Sequence, residues 1–301
     1  MQSEFIEVVD VENILGESVI WDNRSQAVWW TDIERCLLYC YDPLNKECSN
    51  FDTPERIGSF AFTTEPDWLI VAFENGFAYF NPKKNLIKWI SKPQENLSHI
   101  RFNDGRVDRQ GRFWAGTMVE NQDTQPEKAC LYRLDQNGEP AVVLQDITIS
   151  NSLCWSPDGT KLYFADSPIH RINIYDFDAS KGAISNKKLF AETPEHIFPD
   201  GSVTDRDGYL WNAQWGGGRV VRYTTDGKID HIIELPVSQP TCVTFGGADL
   251  TWLFITTAKS GLSKEQLNAE PLAGSLFIYK TDIKGIPDEL VDHSIYSKSR
   301  Q

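Results

Sequence analysis

The sequence predicts an all-β chain folded as a six-bladed β-propeller. Three observations carry that expectation. One unit of strand, tight turn, strand, loop and strand recurs six times at nearly constant spacing. No segment sustains a helical period. Aromatics make up 12% of the 301 residues, with ten Trp, a composition suited to pleated, half-buried surfaces.

The second strands of the units are the plainest: AVWWTDI from Ala27, DWLIVAF from Asp67, RFWAGTM from Arg112, KLYFADS from Lys161, YLWNAQW from Tyr209 and TWLFITT from Thr251. Each follows a polar turn, in order DNRSQ, TEPD, DRQG, SPDGT, DRDG and GGADL, rich in residues that tolerate positive φ or cap their own backbone. The third strands begin at Cys36, Gly76, Cys130, Arg171, Arg219 and Ser275. The first strands end at Trp21, Phe62, Asp108, Trp155, Thr204 and Phe245, spaced 41, 46, 47, 49 and 41 residues apart. A lone blade cannot bury both of its faces, whereas six in a ring can. The run EFIEVVDV, Glu4 to Val11, precedes the first complete unit and is read as the outer strand of the last blade, so that residues 1–301 form a single propeller domain closed by its N-terminal strand. Ser263 to Asn268 fits a short helical turn inside a long loop. A two-domain sandwich is the alternative architecture, but it gives no reason for six turns in register.

The bulk composition, 41% apolar and 24% charged, is that of a folded chain. The formal net charge of −14 repels nucleic acid and anionic membrane, so neither is expected as a partner. Apolar runs such as Trp68 to Phe73 are too short to span a bilayer. The opening MQSEFIEVVD lacks the apolar core of a secretory leader. The six cysteines form no Cys-x-x-Cys pair, and most sit in strand-like apolar runs, so they are read as reduced core thiols of a cytoplasmic protein.

The stretch FPDGSVTDRDGYLW holds two Asp-Gly pairs. Asp207-Gly208 is a hairpin turn. Asp200-Gly201 starts a strand, where a carboxylate has no such role. Four residues before each first-strand anchor stand Glu17, Gly58, Asp104, Asn151, Asp200 and Thr241. Innermost propeller strands line a central channel, so equivalent positions face one another at one mouth of it. Asp and Asn also cap strand starts through their own backbone. Four oxygen-bearing residues in one repeat position, Glu17, Asp104, Asn151 and Asp200, point instead to a hard-cation site, because carboxylates this close repel unless a cation or proton intervenes. The chain direction places the loops between second and third strands at the same mouth. Two of them, Val119 to Ala129 and Ala258 to Gly274, are long, as suits a partly covered small-molecule pocket.

These residues resemble the SMP-30/gluconolactonase/regucalcin family of six-bladed propellers. The matching segments are LGESVIWD from Leu15, RFNDGRVDRQGRFWAGTM from Arg101, ISNSLCWSPDG from Ile149, FPDGSVTDRDGYLW from Phe198 and GGGRVVRY from Gly216. The resemblance implies one divalent cation (Ca, Zn, Mg or Mn) held by Glu17, Asn151 and Asp200, with Asp104 a neighbour behind them. It implies substrate contacts from Arg101 and Asn103, and hydrolysis of a small-molecule sugar lactone with Asp200 as base. Two departures bear on the substrate and not on the cation. Ser152 stands where the family often has Gly after the metal-binding Asn, and Glu120-Asn121 stands where regucalcin-like members have two Glu. Both Glu120 and Asn121 are candidates for contacts with sugar hydroxyls.

On that reading the cation polarises the lactone carbonyl, Asp200 takes a proton from the attacking water with Asp104 as its rival, and Trp215 offers the sugar ring an apolar face. The five histidines recur at no one repeat position, with His99 and His196 expected nearest the mouth. Two alternatives stay open at this stage. One is a calcium-binding propeller acting as a regulatory or interaction module, and the other is a metal-dependent esterase or phosphotriesterase on the same scaffold.

Overall fold

The computed structural model describes residues 2–97, 99–120, 128–135 and 137–294. Its strands form six four-stranded antiparallel sheets. From the axis outward, the first blade is β2 (Gly16–Asp22), β3 (Ala27–Asp32), β4 (Leu37–Asp42) and β5 (Glu47–Asp52). The second is β6 (Ile57–Phe62), β7 (Leu69–Phe73), β8 (Gly76–Asn81) and β9 (Leu86–Ser91). The third is β10 (Ile100–Val107), β11 (Phe113–Val119), β12 (Ala129–Leu134) and β13 (Pro140–Ile147). The fourth is β14 (Ser150–Trp155), β15 (Lys161–Asp166), β16 (Arg171–Asp178) and β17 (Ala183–Glu192), and the fifth is β18 (Phe198–Thr204), β19 (Leu210–Trp215), β20 (Arg219–Tyr223) and β21 (Ile229–Glu234). The sixth takes β22 (Pro240–Gly246), β23 (Trp252–Thr257) and β24 (Leu276–Thr281) from one end of the chain and β1 (Ser3–Val9) from the other. Among the described residues the one α-helix, α1 (Lys264–Ala269), is short, is capped by Ser263 and lies in the β23–β24 loop. No helix among the described residues is long and apolar enough to cross a membrane.

The ring is held by apolar layers between blades. Ile20 and Leu38 pack on Phe60 and Val71, Ile70 and Phe77 on Phe102 and Phe113, and Trp114 and Leu131 on Trp155 and Phe164. Tyr163 packs with Leu210, Trp211 with Phe245, and Phe254 with Trp21 and Trp30, which returns to the first blade. Of the six cysteines read as core thiols, only Cys154 and Cys242 are buried; Cys36, Cys40 and Cys130 are half-buried and Cys48 is exposed. Cys40, Cys48 and Cys130 lie on third or outer strands of their blades, and Cys36 lies in the turn before β4.

Two hairpin turns carry buried polar anchors. Asp205 is fully buried; its Oδ1 accepts the N–H of Asp207 and of Tyr209, each at 3.0 Å, and its Oδ2 accepts Trp211 Nε1 at 2.9 Å and Arg222 Nε at 2.8 Å. Asp108 repeats the pattern with Gln110, Arg112 and Trp114. The chain beyond β24 crosses the face on which these turns lie. Arg206 N–H bonds Lys284 O, Arg106 reaches Asp288 at 3.1 Å, and Val291 N–H bonds Phe62 O at 3.0 Å. That end of the channel is therefore covered, and access is left to the opposite mouth.

Replacing Asp205 with Ala leaves Trp211 Nε1 without its partner in the interior and takes from the Arg222 guanidinium one of its two close carboxylates, Asp230 being the other. Loss of one partner of a buried ion pair costs about 3–5 kcal/mol. Asp205→Ala is expected to lower the Tm by several degrees in calorimetry, and an unchanged Tm would show that the turn is not an anchor.

Candidate functional site

Each innermost strand breaks its ladder at the same place. The register shifts between Glu17 and Ile20, Ile57 and Ser59, Phe102 and Gly105, Asn151 and Cys154, Pro199 and Ser202, and Pro240 and Cys242. A bulge of this kind re-aims side chains that regular pleating would send into the blade. Glu17, Asn151 and Asp200 thus line one cavity of about 490 Å³ together with Arg101, Asn103 and Glu120. Asp104 does not line it. Its Oδ2 is turned toward the fourth blade, where it accepts the Leu153 N–H at 2.8 Å. Asn121 lies outside the described residues.

The second and sixth blades add no ligand for chemical reasons. A Cβ on Gly58 would lie 2.5 Å from the Phe102 carbonyl oxygen, so the position must stay bare for β6 to pack against β10. Thr241 spends its hydroxyl on Gly16 O and Thr256 Oγ1.

Hydrogen bonds fix how the cavity residues face. Asn151 Nδ2 donates to Ser167 Oγ at 2.8 Å, and Ser167 Oγ donates to Pro199 O at 2.7 Å. The amide oxygen of Asn151 is left to accept Asn103 Nδ2 at 3.0 Å, with a lone pair to spare. Asn103 Oδ1 accepts Arg101 Nη1 at 2.8 Å. Glu120 sits 3.4 Å from Arg101 Nε and is gripped on both oxygens by Arg56. The backbone oxygen of Asp200 accepts Ser152 Oγ at 2.7 Å and Asn212 Nδ2 at 2.9 Å. Its carboxylate oxygen Oδ1 is buried with no hydrogen-bond partner.

Charge is concentrated here. Burial, then the neighbouring Glu17 and Asp104, push the Asp200 carboxyl well above its ordinary range. Burial and then Asp104 push Glu17 up, eased by the Ser18 N–H and by Arg101. Asp104 is raised by burial and eased by Leu153 N–H and Arg106. Burial also pulls Arg101 below the usual arginine range, opposed by Glu120. The residues fit a hard divalent cation. Two carboxylates and an amide oxygen converge, one carboxylate oxygen is orphaned, and neither Cys nor His stands among them. No cluster of three His, Cys, Asp or Glu suited to a metal occurs among the described residues, and the oxygen beside the two carboxylates in the cavity wall is that of the Asn151 amide.

Other lining residues went unnamed in the sequence. Glu34, Met118, Pro168 and Ser260 come from the ends of second strands or the loops after them, where the chain direction places the rim. Phe198 and Ile149 join Trp215 in an apolar wall beside the polar floor. His99 and His196, expected near the mouth, do not line the cavity.

Comparisons with known proteins give a family and a fold. A family model described as the SMP-30/gluconolactonase/LRE-like region matches residues 15–259. L-arabinolactonase of Azospirillum brasilense is 36% identical over 281 residues, covering 93% of this chain and 92% of that protein. The 6-deoxy-6-sulfogluconolactonase of Pseudomonas putida is 35% identical over 285 residues, covering 94% and 97%. Among solved structures, regucalcin of Agrobacterium tumefaciens, described as a calcium-binding protein, superposes with a TM-score of 0.89 at 29% identity, covering 95% of this chain and 97% of that one.

The raised carboxyls make a prediction about pH. Glu17 and Asp200 hold their protons to higher pH in the native state than in the unfolded chain, whose carboxyls titrate near pH 4. Above about pH 4 the cation-free native state therefore binds more protons than the unfolded state, and its stability falls as pH rises. A bound cation removes the cause. The difference in Tm between cation-supplied and chelated protein should be small near pH 4 and widen toward neutrality; a gap independent of pH would speak against cation binding at these carboxylates.

Proposed function

The chain belongs to the SMP-30/gluconolactonase/LRE-like family, and on that premise we propose that it is a divalent-metal-dependent lactonase, opening a sugar lactone to its hydroxy acid. The observation that carries the reading is the orphaned Asp200 Oδ1, buried on the wall of a cavity shared with Glu17, Asn151, Arg101 and Asn103. Glu17, Asn151 and Asp200 are the residues that would hold the cation. Bound there, a divalent cation supplies a Lewis acid for the lactone carbonyl and the positive charge that lets the two carboxyls ionise.

The chain's own groups do the rest. Asp200, once ionised, is the base that accepts a proton from the attacking water, since its Oδ1 has no hydrogen-bond partner among the described residues while Asp104 is committed to the Leu153 N–H. Arg101 orients the lactone through the guanidinium donors it does not spend on Phe102 O and Asn103, while Asn103, whose two amide hydrogens go to Ser150 O and Asn151 Oδ1, offers the Oδ1 lone pair that Arg101 leaves free. Trp215 and Phe198 offer an apolar wall to the ring carbons and keep bulk water from that side. Glu34 and Glu120 at the mouth are acceptors for sugar hydroxyls.

The direct test is a panel of neutral and acidic sugar lactones, followed by acid release, with chelation and metal add-back. Turnover that chelation abolishes and add-back restores supports the reading, and no turnover on any member of the panel ends it. Asp200→Asn should lower kcat by about 10²–10⁴-fold, because an amide cannot take the proton. Some cation binding should survive, since the amide keeps one donor oxygen; near-normal turnover would move the base elsewhere. Arg101→Ala should raise KM with cation affinity little changed. Asn103 does not allow so clean a test, because its amide bonds the Asn151 oxygen.

A further inference from the structure

Arg56 stands one residue before β6 and reaches the cavity rim from the second blade, whose repeat position is the bare Gly58. Its Nε and Nη2 donate to the two oxygens of Glu74 at 2.9 and 2.8 Å. Its Nη1 and Nη2 donate to the two oxygens of Glu120 at 2.6 and 3.0 Å. The last N–H, on Nη1, reaches Glu34 Oε1 at 3.5 Å. All five guanidinium donors are thus directed to carboxylate oxygens, an arrangement that only arginine can satisfy.

From Arg56 a continuous chain of contacts runs to the cavity floor. Glu120 lies 3.4 Å from Arg101 Nε, Arg101 Nη1 donates to Asn103, and Asn103 Nδ2 donates to Asn151. Arg101 is buried, with a side chain only 5% exposed, and its contacts to Phe102 O and Asn103 all leave from Nη1. Its Nε makes no hydrogen bond among the described residues, and the charge that edge faces is Glu120 Oε1 at 3.4 Å. Glu120 in turn stands at the end of β11 with a side chain 30% exposed, where without Arg56 it would be free to swing toward solvent.

We propose that Arg56 is a positioning residue for substrate: acting through Glu120 it sets the orientation of Arg101, and by compensating Glu34, Glu74 and Glu120 it lets a negatively charged lactone approach the mouth. The inference rests on the lactonase reading for its substrate, but not for its geometry. Glu74 anchors the guanidinium on the second blade, so Arg56 ties a bladed framework to a group that meets ligand. Removing its charge leaves three carboxylates around the mouth with one fewer cation, which penalises an anionic ligand more than a neutral one.

The experiment compares wild type, Arg56→Gln and Arg56→Lys, by kinetics on a neutral and a carboxylate-bearing sugar lactone and by crystal structures of all three. Arg56→Gln is expected to raise KM about tenfold, with kcat much less affected, as befits one lost charge-assisted contact. The rise should be larger for the acidic lactone and should shrink in high salt. Arg56→Lys keeps the charge but not both forks, so it should recover the charge preference and only part of the KM. The crystals should show Arg101 turned away from Asn103 in Arg56→Gln. Arg101 unmoved and KM unchanged for both lactones would overturn the proposal, as would a loss of Tm with no change in KM. If the wild-type enzyme turns over no lactone but Arg101 still moves, the lactonase reading falls while the positioning role stands. Should Arg56→Gln fail to fold, Arg56→Lys carries the same comparison.

Discussion

The site depends on one constraint: six innermost strands must pass close enough to share an axis, and each of them breaks its ladder at the same register to do so. Regular pleating would alternate side chains between the two faces of a blade and send none along the axis. The bulge adds a residue on the inner strand and turns it out of the alternation. What stands there then depends on the space the neighbouring strand leaves. At Gly58 the adjacent backbone leaves none, at Thr241 the hydroxyl is drawn back into the sheet, and only the remaining four positions can present oxygen to the channel. The asymmetry of the site follows from packing between β6 and β10, before any chemistry is considered.

Burial then makes those oxygens costly. Glu17, Asp104 and Asp200 share one low-dielectric space with Arg101 and Arg106, and their carboxyls are all raised. Such a cluster persists only where something else compensates it. Arg106 is pinned to Asp288 on the far side, so it serves the covered end of the channel. Arg101 serves the open end, where Glu120 balances it and is itself held by Arg56. The two ends of the channel thus divide their charges: a closed structural pair on one side, and an open set on the other that lacks a positive partner at Asp200 Oδ1.

Much of this was legible in the sequence because it repeats. The first three strands of each unit are buried and aromatic, so their spacing gave the six blades, and alignment on their ends gave Glu17, Asp104, Asn151 and Asp200 with no contact information. Register alone could not say that Asp104 turns aside, since that depends on a single hydrogen bond to Leu153 N. The outer strands β5, β13 and β17 went unread one by one because their residues are largely exposed, and polar edge strands carry no strong period. The segment from Lys284 to Val291 was invisible for a different reason: it makes isolated bonds to four blades and belongs to no repeat. Arg56 carried no signal either. Its role comes from side chains 18 and 64 residues away, and a lone arginine before a strand predicts neither.

Ser152 shows how a departure from the family pattern can be explained by the same contacts. Its φ of +58° lies in the left-handed region, where glycine would sit without strain and a serine costs about 1–2 kcal/mol. The cost comes with a specific return. Ser152 Oγ donates to the Asp200 backbone oxygen, and it is itself approached by Asn212 Nδ2 at 3.1 Å and Ser202 Oγ at 3.2 Å. These three polar residues are buried, and together they hold the peptide that carries Asp200 in its bulge. A glycine at 152 would relax the backbone and leave that peptide to Asn212 alone. The serine therefore exchanges local strain on β14 for rigidity on β18, at a residue whose Oδ1 has no hydrogen-bond partner among the described residues. On the proposed reading, in which Asp200 both binds a cation and accepts a proton, a hold through its backbone is the one that leaves Oδ1 unoccupied.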